Sequence, residues 1–287
     1  MRGIALIRTV TARLFAVAAL WLPATVAVRA AEPERWAVCY SDRPVPFDLA
    51  RYQVVVLDSH HHPPLGPLIE RNRTVLAYLS LTQMGRGRDA FASLQQAGVV
   101  LDAHPVWTDA HYLDFRRPEW VRTVLEQLVP QALDAGFTGL FLDTLDDAEF
   151  LEGKDPERYR GMRDAAVRLV RAIRHQYPQI VIMVNRGYAL LPDIAPSIDI
   201  LLGESVLATF DPATKAYSRV TDPDVAWQVN ALRRAQALNP ALKLFTLDYW
   251  DPADADGVRR LYQEQRANGF VPYVSTPMLD TLVEEPR

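Results

Sequence analysis

Two carboxylates stand where apolar runs stop. Asp143 closes Gly139-Leu-Phe-Leu-Asp143, and Glu204 closes Ile198-Asp-Ile-Leu-Leu-Gly-Glu204. A short apolar run of this kind reads as a strand buried on both faces, so its C-terminal polar residue stands at the rim of a sheet. Two carboxyl groups on one rim, one ionised and one protonated, are what cleavage of a glycosidic bond requires, because one acts at the anomeric carbon and the other at the leaving oxygen. Either acid alone could cap the following loop or pair with Arg186. Together with Asp58, Asp248 and the aromatic residues around them they favour chemistry.

Other reactive side chains carry weaker signals. His60, His61 and His62 are adjacent, and extended backbone sends neighbouring side chains to opposite faces, so at most His60 and His62 could share a ligand. A hydrolytic zinc site wants about three converging ligands, so neither a metal nor any cofactor is expected. Cys39 lies inside the first apolar run and reads as a buried, inert thiol. Ser205 follows Gly-Glu, and no Gly-x-Ser-x-Gly elbow exists, which argues against serine hydrolysis. Trp120 and Trp227 fall on helical stretches and are expected in the core. Trp107 and Trp250 face the rim and could stack on sugar rings.

The elements that would position these groups alternate along the chain. Apolar, β-branched runs recur at 36–40, 52–58, 74–80, 139–144, 180–185, 198–204, 242–249 and 271–275. Amphipathic helical stretches lie at 118–135, 158–177, 222–238 and 253–268, the last capped by Asp254, with Gly136 and Gly269 at C-cap positions. Eight strands with interleaved helices predict an α/β fold, a (β/α)8 TIM barrel. An open doubly wound sheet is the competitor, but no Gly-rich dinucleotide loop follows the first strand. Between 80 and 120 the pattern weakens to one helix at 90–97 and a long loop at 104–117. In a barrel the chemistry sits at the C-terminal strand ends. Here those ends present Tyr40 and Asp42, Asp58, Tyr78 and Ser80, Asp143 and Asp146, Asn185, Glu204, Asp248 and Tyr249, and Ser275.

Composition narrows the class. The chain has 287 residues, 49% hydrophobic and 23% charged, which excludes disorder and fibre, and 13 Gly without a three-residue period exclude collagen. One Cys forbids an internal disulfide. A net charge of −4 argues against a nucleic-acid partner. Arg2, Arg8 and Arg13 precede an apolar run that ends in Val28-Arg29-Ala30-Ala31, the pattern of a secretory signal peptide over residues 1–30. Its loss would remove four Arg and no acid, taking the charge from −4 to −8. The run is too short for a comfortable membrane span, so the expectation is a periplasmic or extracellular protein without stable membrane insertion, and an uncleaved anchor is the alternative. Residues 31–287 read as one domain.

The segment Gly136-Phe-Thr-Gly-Leu-Phe-Leu-Asp-Thr-Leu-Asp146 resembles the strand-four signature of glycoside hydrolase family 114. That group comprises endo-α-1,4-polygalactosaminidases and the hydrolase domain of the Pel polysaccharide protein of biofilm bacteria. Val75-Leu-Ala-Tyr-Leu-Ser80, Tyr112-Leu-Asp-Phe-Arg-Arg-Pro-Glu-Trp120, Asn185 and Gly203-Glu-Ser205 match in family order. The resemblance implies a (β/α)8 barrel with Asp143 as nucleophile and Glu204 as general acid. It places Tyr40, Asp58, Tyr78, Asp146, Asn185, Asp248 and Tyr249 as substrate contacts. One departure stands out: after Tyr-Leu-Ser the family continues with a small residue, Gly and Glu, whereas this chain reads Leu81-Thr-Gln-Met-Gly-Arg-Gly87. The expectation is therefore a metal-independent glycosidase acting on a polysaccharide, with the acidic rim suiting a cationic amino-sugar polymer. The rival is the same barrel without activity, holding exopolysaccharide in a biofilm system.

Overall fold

The computed structural model describes residues 35–286 apart from Val45 and Asn72. The expected signal peptide lies outside the described residues.

Eight parallel strands form one sheet in sequence order: β1 (Trp36–Cys39), β2 (Val54–Asp58), β3 (Thr74–Ser80), β4 (Gly139–Asp143), β5 (Val181–Asn185), β6 (Ile200–Glu204), β7 (Lys243–Tyr249) and β8 (Val271–Ser275). These are the eight runs expected from the sequence, trimmed at their ends. The sheet curls until β8 meets β1, where the Trp36 indole donates to the Val271 carbonyl at 3.0 Å. Inside the barrel Trp36 packs on Phe245 and Tyr273, with ring centroids 5.5 and 5.7 Å apart, and all three are buried. These large side chains fill the interior, as barrels of this size require. Gly139 has a specific reason to be glycine: a Cβ there would lie 2.1 Å from the Val181 carbonyl oxygen of β5.

Helices pack outside. Pro118–Thr123, a π turn at Val124–Leu128 and Val129–Asp134 run on as one helix, α1. The widened turn falls just ahead of Pro130, whose ring has no N–H and crowds the turn before it. Then follow α2 (Asp146–Lys154), α3 (Met162–Gln176), α4 (Asp222–Leu238) and α5 (Ala255–Ala267). Asp254 caps α5, accepting from Gly257 N at 2.9 Å, as expected. Gly136 and Gly269 carry φ of +104° and +80° at helix ends, the left-handed values that glycine adopts without steric penalty. Among the described residues no helix is long and apolar enough to cross a membrane.

Two regions differ from expectation. The stretch 104–117 is not all loop. Ala110–Leu113 is the central strand of a three-stranded antiparallel sheet, flanked by Gln83–Gly85 and Val100–Ala103, with a helix at Phe91–Gln96. This sheet is inserted between β3 and α1, the helix that leads on to β4. A hairpin of Ala208–Asp211 and Ala216–Arg219 also interrupts the path from β6 to α4. Trp120 is buried as expected, whereas Trp227 is 53% exposed on the outer face of α4.

Candidate active site

Register decides which side chains meet. Ser80 lies beside Asp143 and Tyr78 beside Phe141. Asn185 lies beside Leu202, and Glu204 beside Leu247. Because strand side chains alternate between faces, Tyr78, Asp143, Asn185, Glu204 and Tyr249 all fall on the inner face at one end of the barrel. With Tyr40 and a floor that includes Val38, Phe141 and Leu247, four of them line a cavity of about 130 Å³. The fifth, Tyr249, donates its hydroxyl to Glu204 Oε1.

Asn185 ties the pair together. Its Nδ2 donates to Asp143 Oδ1 at 2.9 Å and to Glu204 Oε2 at 2.6 Å, so those two oxygens lie no farther apart than the sum of the two lengths, about 5.5 Å. Its Oδ1 is buried and has no partner among the described residues. Asp143 also accepts from the backbone N–H of Thr144 at 2.8 Å, and the Tyr78 hydroxyl stands near enough to favour its ionised form. Tyr40 and Tyr78 pack edge to face, 4.9 Å between centroids.

The electrostatics follow from burial with little compensation. Burial and the neighbouring Glu204 charge push the Asp143 carboxyl up to about 6, against the pull of Asn185, Thr144 N–H and Tyr78. Burial, reinforced by the two carboxylates, raises Tyr40, Tyr78 and Tyr249, so these phenols keep their protons and stay available as donors. Among the described residues no Lys or Arg lines the cavity.

The backbone is bent sharply after each of the three central residues. Thr144, Arg186 and Ser205, which follow Asp143, Asn185 and Glu204, have φ of +66°, +51° and +53°. Left-handed backbone is unfavourable for residues with a Cβ, by about 1–2 kcal/mol each. Hydrogen bonds hold the bends: Arg186 N donates to Leu202 O at 2.9 Å, Ser205 N to Leu247 O at 2.7 Å, and Ser80 Oγ meets Thr144 Oγ1 at 2.9 Å. Each bend turns the chain out of the barrel directly after the side chain that points in.

Three of the sequence-predicted contacts lie elsewhere. Asp248 does not reach the cavity. It is fully buried on the outer face of β7, accepting from Leu207 N at 2.7 Å, Ala208 N at 2.9 Å and Gln265 Nε2 at 2.6 Å. Its neighbour Tyr249 points inward, so alternation sends Asp248 outward. Asp58 stays at the rim but caps its own loop, accepting from His60 N and His61 N at 2.8 Å each, with Arg88 3.8 Å away. Burial opposes its charge, yet those N–H groups and Arg88 hold its carboxyl below the ordinary range. Asp146 starts α2 with a half-exposed carboxylate 3.9 Å from Arg186, outside the cavity that holds Asp143 and Glu204.

Sequence reasoning missed Asp147. Burial pushes its carboxyl up to about 7, and it accepts from Gln83 Nε2 at 2.7 Å. The departing segment 81–87 supplies that partner, and its Thr82 also bonds Thr144. The histidines separate: His60 meets Ser59 and Arg88, and His62 stacks on Phe137. Trp250 is committed to Asp254, to which its indole donates at 2.9 Å, and Trp107 is exposed on the connection between two strands of the small sheet. Burial pushes the Cys39 thiol up to about 11, as for an inert core residue.

Known proteins bear on this arrangement. No curated protein matches the chain. Among solved structures, the glycoside hydrolase domain of PelA from Pseudomonas aeruginosa is 29% identical, with a TM-score of 0.78 over 88% of this chain and 98% of that one. Aspergillus fumigatus Ega3, solved in complex with galactosamine, is 14% identical, with a TM-score of 0.63 over 88% of this chain and 94% of that one, a likeness of fold. The model of glycoside-hydrolase family GH114 matches residues 17–287, nearly the whole chain, and the protein belongs to that family.

Proposed function

We propose that the protein is an exported endo-glycosidase that cleaves internal bonds of a galactosamine-containing polysaccharide with retention at the anomeric carbon. The observation that carries this reading is the Asn185 bridge. It holds one oxygen of each carboxyl group within about 5.5 Å of the other, which supports a nucleophile and an acid acting on one bond over a pair with water between them.

In the first half-reaction an Asp143 oxygen bonds to the anomeric carbon while the glycosidic C–O bond breaks, and Glu204 gives its proton to the departing oxygen. In the second, water attacks the same carbon, Glu204 takes a water proton, and Asp143 leaves with its bonding electrons. The Tyr249 hydroxyl serves both halves, since it can accept from protonated Glu204 and donate to ionised Glu204. No metal or cofactor takes part in this scheme. Tyr40, Tyr78 and Asn185 contact the sugar. The unpartnered Asn185 Oδ1 offers an acceptor to a substrate N–H, and a cavity with two carboxyl groups and no cation favours an ammonium-bearing sugar. Membership of the family, the likeness to the PelA domain and the galactosamine bound in Ega3 support this substrate class. Residues 1–30 would direct export to the periplasm or the exterior, leaving 31–287 as the catalytic domain.

The test is reducing-end release from partly deacetylated polygalactosamine, with proton NMR of the first-formed anomer. The expected product keeps the anomeric configuration of the substrate, and EDTA leaves the rate unchanged. Asp143→Asn and Glu204→Gln should each lower turnover by at least about a hundredfold. Binding without cleavage by the unaltered protein would replace this reading with that of an inactive polysaccharide-holding barrel.

A further inference from the structure

Outside the cavity around Asp143 and Glu204 lies a larger groove of about 670 Å³. Its walls come from the segment after β5, from α2 and from α4. Asp146, Glu149, Arg186, Tyr188, Trp227 and Arg234 line it, with alanine, leucine and proline side chains making up the rest. Three features distinguish it from an ordinary crevice between helices.

The first is an exposed indole in a fixed orientation. Trp227 is 53% exposed and packs perpendicular to the Tyr188 ring, 5.2 Å between centroids at 86°. An indole fixed by one aromatic neighbour and half open to solvent offers surface to the apolar face of a sugar ring. The second is a rigid support tied to the site already described. The Tyr188 hydroxyl donates to Gln228 Oε1 at 2.9 Å, and Gln228 Nε2 donates to the Ser205 carbonyl at 2.9 Å, one residue after Glu204. The third is polar capacity of both signs in the same groove. Asp146 and Glu149 offer carboxylates, and Arg186 Nε is a buried donor with no partner among the described residues.

The groove opens on residues next to the cavity's own along the chain: Arg186 follows Asn185 directly, and Asp146 lies three residues after Asp143. A polymer held at Asp143 and Glu204 extends beyond the cavity, since about 130 Å³ is too small for a bound polymer. We infer that this groove is an outlying subsite, in which Trp227 stacks on the ring of a galactosamine unit of the same polysaccharide while Asp146 and Glu149 receive its ammonium group. The inference rests on the substrate reading proposed above and adds to it the residues that would make the enzyme prefer long chains.

Calorimetric titration of the Glu204→Gln protein, in which cleavage does not intervene, with a trimer and an octamer of galactosamine tests it. The octamer should bind at least about tenfold more tightly than the trimer. Adding Trp227→Ala should remove most of that gain and leave trimer affinity in place, whereas Trp227→Phe, which keeps an aromatic face, should retain a larger part of it. Trp227 is half-exposed, so either change leaves the core intact, and unchanged thermal melting verifies this. Equal affinity for trimer and octamer, or an octamer gain that survives Trp227→Ala, overturns the subsite while leaving the substrate reading standing. No binding of either oligomer overturns both.

Discussion

Asn185 is what lets two like charges share one small cavity. Two carboxylates about 5 Å apart repel by about 3 kcal/mol at an effective dielectric of about 20, and one amide group donates to both. Removing it in Asn185→Ala should raise the Asp143 pKa above about 6, because its hydrogen bond favours the ionised form. The proposed role of Asp143 as nucleophile requires its carboxyl group to be ionised. The acid limb of kcat/KM should therefore fall near pH 6 in the unaltered protein and move to higher pH in Asn185→Ala, as a pH–rate profile would read. Asp147, pushed up to about 7, titrates in the same region, and Asp147→Asn separates the two. The same shift has a consequence for stability. The Asp143 pKa is raised on folding from 3.8 to about 6, so the folded state holds this proton more tightly than the unfolded chain. Its contribution is favourable below about pH 4, declines as pH rises to about 6 and stays lost above it. Asp143→Asn should thus stabilise the protein at neutral pH by about 1–3 kcal/mol while abolishing turnover. Thermal melting at pH 4 and pH 7.5 would show a gain only at the higher pH.

At the scale of elements, strand alternation and register assign the roles. Asp248 and Tyr249 are neighbours, so one faces the barrel interior and the other the helices, and only tertiary packing shows which. Asp248 staples the segment after β6 to α5 through two backbone N–H groups and Gln265. Asp248→Ala should leave those donors unpaired and destabilise the fold by about 2–4 kcal/mol. Activity per folded molecule at low temperature should stay near that of the unaltered protein, a split that a denaturation curve and a titrated active-site concentration resolve. The strands themselves were legible because each is a short run buried on both faces. The three-stranded sheet at 83–113 was not. Its strands have three or four residues, and the central one, Ala-His-Tyr-Leu, shows no alternation that periodicity could detect. Trp227 was read as core because it sits on an amphipathic helix, yet α4 carries buried residues such as Leu232 and Ala235 on one face and leaves this indole on another.

For the molecule as a whole, charge and shape act together. The chain carries −4, and −8 if residues 1–30 are removed. Among the described residues, the cavity of Asp143 and Glu204 is lined by carboxyl, phenol, amide and apolar groups without a cation. The Glu204→Gln protein should bind protonated polygalactosamine more tightly than the fully N-acetylated polymer, and the preference should shrink between 0.05 M and 1 M salt as the screening length falls to about 3 Å. Equal affinity for both polymers at both salts would confine the acids to chemistry and folding. The amino-acid sequence by itself determined the barrel, because eight doubly buried strands and their helices leave a periodicity that few other architectures share. It also singled out Asp143 and Glu204, because an acid that ends an apolar run is conspicuous in one dimension. The tertiary structure alone decided that Asn185 bridges them, that Asp248 turns away, that Asp58 is spent on its own loop, and that Trp227 stands open over a groove. Those facts depend on which face of a strand or helix a residue occupies and on what packs across from it, and neither is written in local spacing.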